Sequence, residues 1–217
     1  SFSMTVFAPY WNPAWKTFPV VATVIPGPNR AVVCRQPFKK ISENGILALH
    51  LNYTNLPFQE RYFPALEKWI LKHNILLNTK NYYPFYFVYA LLNGSRSKEL
   101  YKNQRVLIVH GESGEKKLKI INGVKKQGAK KVLWCSISLK RSLFDIIDIE
   151  QFIGKVDFCL VGAGIGKPKI LLQLEPLKVP CIDAGFAFEL LADQNNKWDR
   201  VVCATDEDWK KRSNNNI

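Results

Sequence analysis

Four short runs of the chain are apolar and β-branched without a polar residue at every second place: Arg105 to His110, Lys131 to Ser136, Val156 to Val161 and Val179 to Asp183. A strand with one wet face alternates, so runs like these belong to strands covered on both faces. Helical spacers lie between them. The clearest is Glu115 to Gln127, with Leu118, Ile121 and Val124 on one stripe, lysines on the other, and Gly128 as its stop. Strand, helix, strand in repetition implies right-handed crossovers and a parallel sheet. The fold class read from the sequence is therefore α/β: a Rossmann-like, doubly wound, mainly parallel sheet over residues 104–205.

The rest of the chain has a different texture. Residues 1–38 hold Pro9, Pro13, Pro19, Pro26, Pro28 and Pro37 with aromatics between them, which interrupts any long helix or central strand. We read this part as an N-terminal wrapping segment, with short strands at Val20 to Ile25 and Ala31 to Cys34 around the Pro26-Gly27-Pro28-Asn29 turn. Met4, the only methionine, reads as the native start, with Ser1 to Ser3 a cloning remnant. Residues 39–103 read as a helical portion packed on the sheet. Within it, Leu66, Trp69, Ile70 and His73 share a face after Pro64, and Asn81 to Leu92 form a buried helix closed by Asn93-Gly94. Residues 206–217 are a polar tail.

At 217 residues the chain is long enough to bury a core without staples. Five cysteines, odd in number and without a C-x-x-C pair, read as reduced core thiols. No apolar run reaches the roughly 18 residues that cross a bilayer, so the expectation is a cytoplasmic protein without a transmembrane segment. A net charge of +13, from 31 basic and 18 acidic residues, favours anionic ligands without naming one. The lysines at 116, 117, 119, 125, 126, 130 and 131 form a basic face, yet no nucleic-acid motif accompanies them, and nucleic acid ranks as the third reading.

In a parallel α/β sheet ligands bind beyond the carboxyl ends of the strands. Three such ends stand out: His110-Gly111-Glu112-Ser113-Gly114, Gly162-Ala-Gly-Ile-Gly-Lys167 and Asp183-Ala184-Gly185. The second is not a P-loop, which needs glycine where Val161 stands and a hydroxyl where Pro168 stands, and its glycine spacing is not that of a dinucleotide fingerprint. What it offers is a glycine-rich turn with exposed amides and a lysine, suited to an anionic group. A methyltransferase reading fails because too little chain follows Lys167. Metal spacing is poor: His50, His73 and His110 are scattered, and Asp206-Glu207-Asp208 is the only D-x-D. Asp183 has a plainer alternative role, as cap of a helix starting near Phe186.

The run Val156-Asp-Phe-Cys-Leu-Val-Gly-Ala-Gly through Val179-Pro-Cys-Ile-Asp-Ala-Gly-Phe186 resembles the GT-D type bacterial glycosyltransferases. In these a strand ending in a glycine turn and a helix lead to a strand ending in D-I-G-H. Val109-His-Gly111 resembles that family's V-E-G turn, and Asn44-Gly45-Ile46-Leu47 with Pro57-Phe-Gln-Glu60 and Pro64-Ala-Leu66 resembles its F-G-D-G-E-L segment with the later F-Q and helix. The resemblance runs from about Lys40 to Ala192. It implies a sugar transferase with a nucleotide-sugar donor and a glycan or glycoprotein acceptor. Gly111, Gly162, Gly164, Lys167, Glu43 and Asn44 would bind the donor. Asp183 and Glu112 would be the carboxylates of the reaction. The family's D-x-E acids fall on Asn44 and Ile46, leaving Glu43 as the nearby acid, and the D-I-G-H histidine falls on Phe186. A divalent metal, magnesium or manganese, is thus implied as cofactor by the resemblance but with an eroded ligand set, and metal-independent transfer is the equal alternative. The runner-up function is a non-catalytic nucleotide- or glycan-binding module of the same fold.

Overall fold

The computed structural model describes residues 20–22, 31–49, 68–84 and 86–193. In chain order the elements are β1 (Val20–Ala22), α1 (Ala31–Asn44), β2 (Ile46–Leu49), β3 (Tyr82–Pro84), α2 (Tyr86–Asn93), α3 (Ser97–Tyr101), β4 (Arg105–His110), α4 (Gly114–Lys126), β5 (Lys131–Ser136), β6 (Phe158–Gly162), α5 (Lys167–Gln173), β7 (Cys181–Asp183) and α6 (Ala187–Ala192). The strands form one sheet in the order β3-β2-β1-β7-β6-β4-β5. Every pairing in it is parallel. The protein is mixed α/β.

The unbroken apolar runs have the origin expected of them. Along β4, Leu107 and Val109 join one core while Val106 and Ile108 join the other, because successive side chains point to opposite faces. The first core sits between the sheet and α1 with α5, through Phe38, Ile41, Ile170 and Leu171. The second sits between the sheet and α2, α3, α4 and α6, through Leu92, Tyr101, Ile120 and Leu191. Gly123 of α4 lets α6 approach closely: a β-carbon there would lie 1.8 Å from the Leu191 carbonyl oxygen. At the amino ends of β4 and β6, the Arg105 guanidinium holds the Asp157 carboxylate at 2.7 Å, and Asp157 also accepts the Arg105 amide. The guanidinium beside it holds the Asp157 carboxyl below the usual carboxylate range.

Two expectations for the first half are corrected. Ala31 to Cys34, expected as strand, are the first turn of α1. A short β-branched run cannot be told from helix by periodicity, and here Phe38 and Ile41, three apart, bring the whole segment onto the core as a helix that contains Pro37. Residues 39–103, expected to be a helical portion, also contain the strands β2 and β3, so that Asn81 to Leu92 is a strand followed by α2 rather than one helix. Val20–Ala22, the described part of the strand expected at Val20 to Ile25, is a strand, and it lies inside the sheet between β2 and β7. Buried Asn81 ties these pieces together. Its amide donates to the carbonyls of Ser42 (2.6 Å) and Leu76 (2.8 Å), and its oxygen accepts the Asn78 amide.

Candidate functional site

The chain leaves β4 toward β5 on one side and leaves β6 toward β7 on the other, although β4 and β6 are neighbours. Where adjacent parallel strands send their chains apart, a crevice opens at their carboxyl ends. His110 and Gly162 are register partners at that point. Gly162 is required there for space: a β-carbon would fall 2.2 Å from His110 Cδ2 and 2.7 Å from Phe188 Cε2. The imidazole stands edge-on to Phe188 with ring centres 4.8 Å apart, and tilted against Trp134 at 6.0 Å. Its Nδ1 accepts the Glu112 amide at 3.0 Å. That bond uses the lone pair of Nδ1, so the neutral ring carries its proton on Nε2 and acts as a donor. Burial pushes the His110 pKa down, against the opposing pull of the Glu112 charge, which keeps the ring neutral.

On the other side of the glycine turn, Lys167 Nζ lies 2.9 Å from Asp183 Oδ2. Asp183 is wholly buried and the lysine side chain is 16% exposed. Two features of the chain bring them together. Asp183 ends β7 beside Val161 of β6, and Lys167 opens α5 directly after the turn that follows β6. Gly185, at φ +45°, bends the chain away just past the pair, and a β-carbon there would sit 3.5 Å from Lys167 Nζ. The turn itself is braced from below. The Ser142 hydroxyl donates to the Ala163 carbonyl at 2.6 Å, and Gly166 packs so closely on Ser142 that a β-carbon would come within 2.6 Å of it.

The structure therefore gathers Gly111, Glu112, Gly162, Gly164, Lys167 and Asp183 at one edge of the sheet. Glu112 is held by Lys116 at 2.8 Å. At the N-cap position of α6 stands Phe186, whose side chain makes no cap hydrogen bond. Glu43 and Asn44 stand elsewhere. They end α1 and precede β2, and since every strand is parallel they stand before the amino end of β2 while Asp183 stands at the carboxyl end of β7. Phe186, where the resembled family has histidine, is 54% exposed at the start of α6. His50, Cys203, the segments at 57–60 and 64–66, and Asp206-Glu207-Asp208 lie outside the described residues. Of the lysine face, Lys116 and Lys119 are each paired with a glutamate one turn earlier.

Sequence reading passed over His110 as one scattered histidine. The signal was its place at the last position of an apolar strand, immediately before glycine. Ser142 and Phe188 carried no such signal, because their roles depend on segments 20 or more residues away. Among the described residues no three His, Cys, Asp or Glu side chains come together to hold a metal ion. Set against protein-family models, curated proteins and solved structures, the chain matches none.

Proposed function

We propose that the protein is a glycosyltransferase of GT-D-like, Rossmann-like doubly wound fold, taking a sugar from a nucleotide-sugar donor to an acceptor hydroxyl. The observation that carries this reading is the Lys167–Asp183 pair beside the Gly162–Gly166 turn at the crevice between β4 and β6. A lysine held by a buried carboxylate has its position set before a ligand arrives, so its charge is available to a diphosphate without the cost of ordering a long side chain. In the reaction the bond from the anomeric carbon to the diphosphate oxygen breaks and the bond to the acceptor oxygen forms. The acceptor proton passes to a carboxylate, and the negative charge left on the diphosphate is met by the lysine and the turn amides. Glu112, partly exposed on the opposite lip, is the carboxylate for the proton; Asp183 keeps the lysine in place. His110 donates from Nε2 and does not serve as base.

The second reading, a non-catalytic nucleotide- or glycan-binding module, is favoured by one specific observation: both carboxylates of the site already sit in lysine ion pairs. A thermal-shift series against nucleoside diphosphates and their sugar conjugates, with and without magnesium or manganese, tests the shared binding step. A matching donor at a hundredfold excess over its Kd raises the melting temperature by roughly 5–10 °C. No shift with any nucleotide overturns the transferase reading and the nucleotide-binding form of the second. A shift without sugar release or transfer in the presence of candidate acceptors leaves only the binding module.

A further inference from the structure

Helix α3 leads directly into β4 and α4 directly into β5, so both helices end where these neighbouring parallel strands begin. Backbone and side-chain contacts lock that corner. The buried Ser97 hydroxyl donates to the Gln127 side-chain oxygen at 3.2 Å, joining the start of α3 to the end of α4. The Asn103 amide donates to the Gly128 carbonyl at 2.9 Å, and the Gln104 carbonyl accepts the amides of Lys130 at 2.8 Å and Lys131 at 3.3 Å. Gly128, at φ +105°, lies so near the exit of α3 that a β-carbon on it would stand 3.5 Å from Lys102 Cα.

What this corner turns to water is lysine: Lys102, Lys125, Lys126, Lys130 and Lys131 are all exposed. The acids around it are already balanced. Glu99 is paired with Arg96 and Asp157 with Arg105, and Lys130 adds to the pull that holds the Asp157 carboxyl low. Asp193, just past α6, acts on Lys119, farther back along α4. Glu150 has Lys155 close by, since the Lys155 ammonium sits 2.8 Å from the carbonyl of the next residue, Gln151. The carbonyls that end α4 offset about half a charge. Five lysines against that half charge leave the corner strongly positive among the described residues, the footprint of a polyanion.

The kind of polyanion follows from what the corner lacks. A small anion needs a cradle, whereas lysines standing separately in water suit an extended chain of charges that touches each in turn and releases its counterions. No large apolar side chain is exposed at 98–105 or 125–131, so neither a protein partner nor a bilayer finds anything here beyond charge. The exposed aromatic rings described, Phe144 and Phe186, stand after β5 and before α6, so the bases of a single strand have nothing at this corner to stack on. A duplex presents its phosphates alone, at fixed spacing.

We propose that this corner binds the phosphate backbone of a nucleic-acid duplex, without reading its sequence, through Lys102, Lys125, Lys126, Lys130 and Lys131. The binding does not rest on the transferase reading, since the corner stands at the amino ends of β4 and β5 and Asp183 at the carboxyl end of β7.

The test is fluorescence anisotropy of the intact protein with labelled DNA and RNA duplexes and a single strand of equal length, each titrated with salt, beside co-sedimentation with phosphatidylglycerol vesicles. The parent binds a duplex with a Kd of roughly 1–100 µM at physiological salt, and log affinity falls against log salt with a slope of roughly −3 to −5. Lys102→Gln with Lys130→Gln and Lys131→Gln weakens binding roughly tenfold or more and makes the slope shallower by about 2–3. Lys39→Gln with Lys72→Gln and Lys80→Gln removes the same charge from exposed lysines on α1 and before β3, away from β5 in the strand order, and leaves affinity and slope nearly unchanged. Melting curves show that each variant is folded. The tighter of the two duplexes identifies the source of the phosphates. The proposal is overturned by a parent that binds neither duplex, or by two triple variants that weaken binding alike, which is net charge alone. It is equally overturned by a single strand bound more tightly than both duplexes, or by vesicle binding without duplex binding, which assigns the corner to a membrane surface instead.

Discussion

The strands β4, β5 and β6 run alongside one another over five or six consecutive residue pairs, whereas β1, β2 and β3 are joined to each other and to β7 over two or three. Both groups belong to one sheet, yet only the first is long enough to be read locally. In β4 each face is buried by side chains from several helices, and the chain needs an unbroken apolar stretch to satisfy both. A three-residue strand needs no such stretch. Its place is set by what flanks it, as Val20–Ala22 shows by lying between β2 and β7 on two register pairs at each side. The candidate site joins the two sides of that divide: Gly162 ends the longer β6 and Asp183 ends the three-residue β7.

The largest expected effect asks whether the two groups are one cooperative unit. Leu160→Ala in β6 and Leu47→Ala in β2 each empty a fully buried position and each cost roughly 2–5 kcal/mol. In urea, fluorescence and circular dichroism transitions of both variants coincide and shift together if the sheet unfolds as one. Leu47→Ala producing a separate early transition, with β4–β6 still folded, breaks the comparison into two independent bodies.

Next in size is the buried pair. Lys167→Met leaves Asp183 buried beside an apolar chain, and such broken pairs cost roughly 3 kcal/mol or more. Lys167→Met combined with Asp183→Asn recovers much of that loss, and a double-mutant cycle measures the coupling. Additive losses show that the two side chains do not act as a pair. For nucleotide binding, neither single variant nor the double recovers the parent affinity, which separates the stability of the pair from its use.

Gly162→Ala is expected to cost about 1–3 kcal/mol, since its β-carbon displaces the His110 ring or Phe188. His110→Ala added to it restores the space and part of the stability. Thermal melts of the single and double variants read this directly. An unchanged melting temperature for Gly162→Ala means that the close approach is relieved without cost.

The smallest effect is in pH. Burial lowers the His110 pKa, so the folded chain holds the neutral ring while the unfolded chain takes up a proton below about pH 6.5. The resulting stability is present above that pH and is lost as pH falls through the interval beneath it, down to the folded value. The melting temperature therefore drops on acidification through this window, and His110→Gln flattens that part of the profile. A drop of the same size in His110→Gln assigns it to other groups.

Legible in the residues alone were the α/β class, the four strands from Arg105 onward to within two residues at their ends, the helix Glu115 to Gln127 to within one, and the strand ends that carry Gly111, Gly162 and Asp183. These were legible because burial on two faces writes itself into consecutive residues and because glycine marks a turn where it occurs. Only the tertiary structure decided that Ala31 starts a helix and that Val20–Ala22 is an interior strand. It also decided that Glu43 and Asn44 stand before the amino end of β2, and that Asp183 meets Lys167. Each of these outcomes depends on which strands become neighbours. Strand order is set by the packing of helices against both faces, between residues far apart in the chain, and no local pattern of residue types records it.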